Sequence, residues 1–417
     1  MTEQKTPRQY AGTHKKGAQT AARQQMARYA QEKGYGASGQ VPPKRARTRA
    51  LAIGGAVAVV LIAVSAVALA LTQSAPEPTP EPEEPLVVVD TPTPPPAPTS
   101  WTFPLTGITT TDEAATLRRA LSVKIENTPD ARPQTGISQA DVIYETVAEG
   151  GITRFNCLFQ SRVPDEVGPV RSARLSDLVI VPAYDALFFF SGANPIIIDQ
   201  IAAVGLPTMS HSAASSLYYR VDYRVAPHNL YLNLSGAWNL ASEMGFATTT
   251  ESPRALEFSP DYAEGEAGQS ASAQAANIAG SVSSTARGDL PSATTITLPF
   301  SDYYLASWSW DTSRRAFLRS MDGPSVDAAT NEQIGAANVV VLWAPYSISV
   351  DNLTFFIGLE GTGAASLFMD GTRIDGSWES VKGAAPRFKD AAGNPILLKP
   401  GTTWFEVLDI NQDITVA

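Results

Sequence analysis

The fold of this chain is decided by a stretch of twenty residues, DVIYETVAEGGITRFNCLFQ, at positions 141–160. Residues on both sides of Gly150 and Gly151 alternate in polarity, which predicts two antiparallel strands joined at the glycines. A two-residue loop at this glycine pair would place Glu145 opposite Asn156. One face of the hairpin would then carry Glu145, Val147, Glu149, Arg154 and Asn156, and the other face would be aromatic and apolar. The polar face is an ion-paired sheet surface or part of a ligand-binding cleft, and a different hairpin register is the third alternative.

A second polar segment, VGPVRSARLSDL, follows at residues 167–178. The spacing of its leucines predicts a helix with Ser172 as the N-cap. Arg171 and Arg174 would lie at the N-terminus of this helix, where the helix dipole favours acidic side chains over cations. Either an external anion or the two hairpin glutamates must offset these arginines, and the sequence leaves both alternatives open.

The segment RVAPHNLY, residues 224–231, contains the best candidate for a general base. His228 follows a proline that stiffens the turn, and Asn229 is placed to orient a ligand. Imidazole can exchange protons near neutral pH, although a hydrogen-bonded structural histidine is the alternative. His211 lies 17 residues before His228, a spacing that matches no zinc-binding pattern, so we expect no metal site and no cofactor.

Other catalytic patterns are missing from the sequence. There is no G-x-S-x-G nucleophile motif and no P-loop. Glu145 and Glu149, four residues apart on a strand, would be separated by about 13 Å. Inverting glycosidases hold their two carboxyl groups roughly 6.5 to 9.5 Å apart, so this pair is not expected to act as an acid/base couple.

Charge and hydropathy divide the chain into an inner and an outer part. Residues 1–49 contain eleven Lys or Arg and two acids, whereas the remainder contains 20 basic and 39 acidic residues. Between them an uncharged apolar run predicts a single transmembrane helix at residues 50–72. By the positive-inside rule the N-terminus is cytoplasmic, and the C-terminal domain is extracellular. An acidic outer domain also argues against nucleic acid as a partner.

The regions on either side of this anchor predict a modular organisation. Residues 1–49 are expected to be a disordered basic cytoplasmic tail. Residues 73–100 contain ten prolines in 28 positions, which predicts an extended stalk. Domains are expected at 101–260 and 295–417, separated by a flexible insertion at 261–294. The pattern of strands and short helices predicts an α+β fold, a layered sandwich of mixed β-sheets with helices, mostly β in the C-terminal half.

Several long motifs resemble the YerB-like bacterial lipoproteins, which carry domain of unknown function 3048 in N- and C-terminal parts. The motifs are PLTG (104–107), NTPDARPQTGISQADVIYETVAEGGITRF (127–155), VGPVRSAR (167–174), APHNLY (226–231) and PGTTWFEV (400–407). The resemblance implies a layered α+β fold and an extracytoplasmic, membrane-attached protein, mostly of Gram-positive bacteria. This chain departs from the family in having a transmembrane anchor and in having Ser325 where a histidine is expected.

These observations favour a cell-envelope binding module for an anionic or polar ligand. The expected partner is a cell-wall component or an envelope protein. The expected binding residues are Glu145, Glu149, Arg154, Asn156, Arg171, Ser172, Arg174, His228 and Asn229. A wall-polymer hydrolase or transferase with His228 as the base is the alternative, and a structural tether is a third possibility.

Overall fold

The computed structural model of the chain describes residues 100–260, 290–348 and 354–417. The predicted tail at 1–49, the predicted transmembrane helix at 50–72 and nearly all of the predicted stalk lie outside the described residues. Most of the predicted insertion also lies outside them. Within the described residues, no helix has both the length and the apolar character needed to span a bilayer.

Four α-helices occur among the described residues, and all of them precede residue 244. They are α1 (Glu113–Thr116), α2 (Asp177–Ala183), α3 (Pro195–Val204) and α4 (Ala237–Glu243). Single 3-10 turns lie at Pro129–Ala131, Ile137–Gln139, Glu149–Gly151 and Ser215–Leu217.

Strands make up most of the regular structure. In the N-terminal half they are β1 (Trp101–Thr102), β2 (Thr109–Thr110), β3 (Leu121–Glu126), β4 (Val142–Val147), β5 (Thr153–Phe159), β6 (Glu166–Val167), β7 (Leu187–Phe189), β8 (Tyr218–Arg220) and β9 (Leu230–Asn233). In the C-terminal half they are β10 (Thr295–Ser301), β11 (Tyr304–Asp311), β12 (Ala316–Ser320), β13 (Val326–Asp327), β14 (Glu332–Gln333), β15 (Gly335–Ala336), β16 (Asn338–Ala344), β17 (Tyr346–Ile348), β18 (Phe355–Ile357), β19 (Gly361–Met369), β20 (Thr372–Ser380), β21 (Arg387–Asp390), β22 (Thr403–Asp409) and β23 (Thr415–Val416).

A nine-stranded mixed sheet joins the two halves, with strand order β21-β20-β19-β16-β22-β4-β5-β3-β7. The pairs β16–β22, β22–β4 and β3–β7 are parallel, and the other neighbours are antiparallel. Because β4 lies directly beside β22, the N- and C-terminal halves share one continuous hydrogen-bonded ladder.

Both faces of this sheet are buried, which explains why its central strands contain almost no exposed residue. On one face the alternating side chains pack against α2 and α3, including Ile180 and Ile201. On the other face they pack against a five-stranded sheet, β15-β12-β11-β10-β23, and against a three-stranded sheet, β6-β9-β8. Trp308 and Leu232 belong to this second core.

The structure confirms an α+β fold of mixed sheets with few helices, mostly β in the C-terminal half. The segment at 227–245 contains a strand and a helix. A strand, β9, comes first because it pairs with both β6 and β8. Helix α4 then begins at Ala237 with Gly236 as its N-cap.

Candidate functional site

The hairpin at 142–159 forms as predicted, but its register differs by one residue. Glu145 lies opposite Phe155, and Thr146 lies opposite Arg154. The loop contains three residues rather than two, with Gly150 and Gly151 both at left-handed φ values of 72° and 71°. A shift of one residue transfers a side chain to the other face of a sheet. The prediction that Glu145 shares a face with Arg154 and Asn156 was therefore wrong.

The second polar segment is extended where a helix start was expected. Helix α2 begins at Asp177, so Ser172 is not its N-cap. The Arg171 amide donates to the Lys124 carbonyl oxygen on β3 (2.8 Å), and the Ala173 amide donates to the Gly192 carbonyl oxygen (3.0 Å). These backbone hydrogen bonds hold residues 170–173 in an extended conformation. Arg171 and Arg174 consequently project from an extended segment beside β3.

Arg174 is fully engaged within the protein. Its Nε donates to Glu149 Oε2 at 3.0 Å, and its Nη2 also contacts that carboxylate. Its Nη1 donates to the carbonyl oxygens of Ser172 and Ala173 at 3.0 and 2.8 Å. Burial raises the pKa of Glu149, but the hydrogen bonds and charge of Arg174 outweigh burial and lower that pKa. Glu149 and Arg174 therefore form an internal ion pair.

Arg171 is only partly engaged. Its Nε lies 3.0 Å from Glu126 Oε1, without the alignment of a hydrogen bond. Neither of its terminal nitrogens donates to any residue in the described ranges, and the side chain is 24% exposed. Glu126, at the end of β3, is 1% exposed and fixes the inner end of the guanidinium. The outer end of Arg171 is free to bind an external group.

Arg154 lies between these two arginines. It is 7% exposed, and its Nη1 donates to the Ser172 carbonyl oxygen at 3.1 Å. Its Nη2 is 3.8 Å from Glu149 Oε2, and its buried Nε has no partner within the described residues. Burial, followed by the charge of Arg174, lowers the pKa of Arg154 to about 9. An additional anion nearby would relieve the cost of holding this cation.

His228 contacts the carboxylate of Glu126, the same group that pairs with Arg171. Its Nδ1 is 3.1 Å from Glu126 Oε2 and 3.4 Å from Thr128 Oγ1. Its Nε2 is 3.9 Å from the exposed Asp130 carboxylate, too far for a hydrogen bond. When Nδ1 carries the proton and donates it to Glu126, Nε2 is left as a proton acceptor.

Together these side chains form one group, which we call the arginine cluster. Its members are Glu126, Glu149, Arg154, Arg171, Arg174 and His228. Glu126 was missed by the sequence analysis. Its signal was present in LSVKIEN, where strand alternation places Glu126 on the same face as Lys124, but the partners of that face are remote in sequence.

The other predicted site residues have structural roles. Asn156 donates to Asp177 Oδ1 (2.9 Å), which also pairs with the fully buried Lys124 Nζ (2.8 Å). Asn229 donates to the Val221 carbonyl oxygen (3.1 Å) and accepts from Arg220 (2.6 Å), which fastens the 221–229 loop. Ser172 contributes only its backbone carbonyl oxygen to the cluster.

Glu145 lies on the opposite face of the nine-stranded sheet, away from the cluster. Both of its oxygens accept from Arg319 Nη2, at 2.9 and 2.8 Å, and it is fully buried. It is therefore not a partner of Arg171 or Arg174. In the part of the chain that the structure describes, no three His, Cys, Asp or Glu side chains are arranged to hold a metal ion.

Known proteins provide a comparison for this architecture. Residues 105–247 match the family described as "Protein of unknown function (DUF3048) N-terminal domain", and residues 296–405 match its C-terminal domain. YerB of Bacillus subtilis (strain 168), described as a candidate lipoprotein, is 30% identical over 307 residues, which cover 73% of this chain and 85% of that protein. The crystal structure of YerB from Bacillus subtilis matches with a TM-score of 0.64 and 27% identity, and the match covers 76% of this chain and 99% of that chain. The chain therefore belongs to the YerB-like family, defined by the N- and C-terminal DUF3048 domains.

Proposed function

We propose that the protein is a membrane-attached, extracytoplasmic binding module that holds an anionic cell-envelope ligand at the arginine cluster. The observation that carries this proposal is the pair of terminal Arg171 nitrogens, which have no partner in the described residues while Glu126 fixes the Nε end. A guanidinium held in this way is pre-organised for a carboxylate or phosphate, because these groups accept two parallel N–H bonds.

Charge within the cluster supports the same proposal. Three arginines face two carboxylates, Glu126 and Glu149, so one positive charge is left over when His228 is neutral. Asp130 lies at the mouth of the cluster and is largely exposed, so its charge is screened by solvent. An anion that displaced water from Arg171 would therefore meet net positive charge close to the site.

Placement outside the membrane is part of the proposal. The apolar run at 50–72 would serve as a single-pass anchor, with the basic tail in the cytoplasm and the Pro-rich stalk spanning outward. The description of YerB as a candidate lipoprotein supports the proposal that this chain, too, is extracytoplasmic and membrane-associated. The ligand is proposed to be a cell-wall component or the acidic surface of an envelope protein.

The test compares Arg171→Gln with Arg387→Gln in co-sedimentation with purified Bacillus subtilis cell walls. Arg387 is an exposed, ion-paired arginine in the C-terminal half and serves as the matched control. A hydrogen bond to a charged group contributes about 1.5–3 kcal/mol, so we expect Arg171→Gln to weaken binding by roughly tenfold or more. Equal binding by Arg171→Gln and the unsubstituted protein would refute the proposal, and failure of the unsubstituted protein to bind would exclude a cell-wall component as the ligand.

A second function, wall-polymer hydrolysis or transfer with His228 as the base, is favoured by one observation. The buried carboxylate of Glu126 lies 3.1 Å from Nδ1, which can orient the imidazole with Nε2 outward. Incubation with the same cell walls should then release soluble fragments, and His228→Gln should abolish the release. Release that persists in His228→Gln would exclude His228 as the base, and no release at all would favour binding.

A further inference from the structure

The outer face of the three-stranded sheet β6-β9-β8 carries a carboxylate beside aromatic rings. Val167, Leu232 and Tyr218 form one row across this sheet, and all three side chains belong to the core. Because side chains alternate along each strand, the neighbouring residues project to the other face. These neighbours are Glu166 on β6, Tyr231 on β9 and Tyr219 on β8.

A third ring, that of Tyr223, joins this face from the loop after β8. The ring centroids of Tyr219 and Tyr231 are 6.4 Å apart, and those of Tyr223 and Tyr231 are 6.2 Å apart. Tyr231 is fully buried, whereas Tyr219 is 40% and Tyr223 is 66% exposed. The buried ring thus supports two flanking aromatic rings that reach solvent.

The Glu166 carboxylate lies close to both exposed tyrosines. It accepts a hydrogen bond from the Tyr219 hydroxyl. Burial, followed by this hydrogen bond and the charge of Glu166, raises the pKa of Tyr219. Burial and the contact with Tyr231 raise the pKa of Tyr223, and the charge of Glu166 raises it further. One negative charge therefore acts on both rings that reach solvent.

No cation among the described residues forms an ion pair with Glu166, whose partner there is the Tyr219 hydroxyl. Two arginines occur in the same segment of chain, but uncharged acceptors hold both of them. Arg220 donates to the side-chain oxygen of Asn229 at 2.6 Å. Arg224 donates to two backbone carbonyl oxygens at 2.7 and 2.6 Å. The negative charge of Glu166 is consequently not balanced by a direct cationic partner.

The rings themselves are able to hold a cation. The guanidinium carbon of Arg224 already lies over the Tyr223 ring, 6.0 Å from its centroid. The face of a tyrosine ring attracts cations through its quadrupole, and this leaves the second face of Tyr223 and the ring of Tyr219 for an external one. An anionic ligand would instead be repelled by Glu166.

A lysine side chain matches this combination of groups. Its four-carbon stem is apolar and can cover exposed aromatic rings, while its ammonium group remains at the polar edge. That ammonium group has three N–H donors and no acceptor, so it can bind a carboxylate oxygen. The carboxylate of Glu166 has further lone pairs beyond the one that accepts from Tyr219.

We propose that Glu166, Tyr219 and Tyr223 form a binding site for a lysine side chain of a partner protein. The stem of the lysine lies on the tyrosine rings, and its ammonium group donates to the Glu166 carboxylate. None of these three residues belongs to the arginine cluster, so this inference goes beyond the proposed function and does not depend on it.

The test measures binding of a short peptide that contains one lysine, by isothermal titration calorimetry at low salt. The same peptide with Nε-acetyllysine keeps the stem but has no charge, and we expect it to bind more weakly. Tyr219→Ala, Tyr223→Ala and Glu166→Gln should each weaken binding of the lysine peptide by about two- to fivefold. Tyr223→Phe keeps the ring and should bind like the unsubstituted protein.

Two substitutions elsewhere on the surface serve as matched controls. Tyr303→Ala removes a tyrosine that is 68% exposed, and Glu379→Gln removes a carboxylate that already pairs with Lys389. Both should leave binding of the lysine peptide unchanged. A urea denaturation curve for each variant verifies that the compared proteins are folded.

Several results would overturn this inference. They are equal affinity for the lysine and acetyllysine peptides, no binding by the unsubstituted protein, and unchanged binding by Tyr223→Ala or Glu166→Gln. Equal weakening by Tyr303→Ala or Glu379→Gln would also overturn it, because the peptide would then be responding to the acidic surface as a whole. Cell-wall co-sedimentation of Arg171→Gln is a separate measurement, so either proposal can fail without the other.

Discussion

Glu145 and Glu406 lie side by side on the parallel strands β4 and β22, and both are completely buried. Arg319 donates to Glu145, while Trp308 Nε1 donates to Glu406 Oε1 at 2.6 Å. Arg319 Nη1 also donates to Ser325 Oγ (2.9 Å), the position at which the family resemblance led us to expect a histidine. One arginine thus faces two carboxyl groups, so only one of the two can be ionised without a large cost.

Burial, followed by the charge of Glu145, raises the pKa of Glu406 well above its ordinary value. In the unfolded chain Glu406 ionises near pH 4.3, whereas in the folded protein it keeps its proton to higher pH. Because the folded state then binds more protons, the free energy of unfolding falls as pH rises above about 4.3, by at most about 1.4 kcal/mol per unit. Below that pH both states are protonated, and this loss is absent.

Glu406→Gln should therefore stabilise the protein, because an amide resembles a protonated carboxyl group and cannot ionise. We expect the gain in the free energy of unfolding to increase from pH 5 to pH 7 and to reach about 1 kcal/mol or more. Urea denaturation at pH 5, 6 and 7 measures it. A gain that shrinks as pH rises would show that Glu406 is ionised in the folded protein.

Glu145→Gln is the matched control for this prediction. It removes the charge that Arg319 needs, and an unpaired buried cation costs roughly 3–5 kcal/mol. The two substitutions are chemically identical and occupy neighbouring positions. Changes of opposite sign in the free energy of unfolding would therefore identify which glutamate carries the proton.

At the scale of single elements, strands were predicted better than their connections. The alternation in DVIYETVAEGGITRFNCLFQ was sufficient to identify β4 and β5, because a buried strand shows its pattern within a few residues. The hairpin register was not predictable from Gly150-Gly151 alone. The loop also includes Glu149, and the Ala148 amide donates to the Ile152 carbonyl oxygen at 2.7 Å to close it.

In the segment that contains Arg171, the start of the helix was likewise not predictable from local spacing. Its leucine spacing predicted a helix from Ser172, yet the helix begins five residues later at Asp177. The Asp177 carboxylate accepts from the Arg174 amide (2.6 Å) and from Lys124 Nζ (2.8 Å), which anchors the start of α2 on β3. This tertiary pairing outweighs local helix preference, which contributes less than about 1 kcal/mol per residue.

At the scale of the whole described structure, the two family domains are joined by more than a linker. β22 supplies the parallel neighbour of β4, with Thr403 opposite Val142 and Phe405 opposite Tyr144. Across the same boundary the Asp327 carboxylate accepts from the backbone amides of Gly136 (2.9 Å) and Ser138 (2.7 Å). Neither half can complete its core without the other.

A protein cut between the halves should consequently stay assembled. We expect that cleavage at a protease site engineered within residues 261–289 leaves the two fragments associated on size-exclusion chromatography in native buffer. The same cleaved sample in denaturing urea should separate, which controls for complete cutting. Fragments that separate in native buffer would show that the β4–β22 ladder does not hold the halves together.

By itself the sequence determined the α+β class, the strand-rich C-terminal half and every member of the arginine cluster except Glu126. These features follow from local alternation and composition, which can be recognised from a few neighbouring residues. Only the tertiary structure decided that Arg174 is satisfied by Glu149, that Arg171 is left with free donors, and that Glu145 faces Arg319 instead. The physical reason is that the partners of a buried charge are chosen by strand register and sheet pairing, and a one-residue shift in register sends a side chain to the other face.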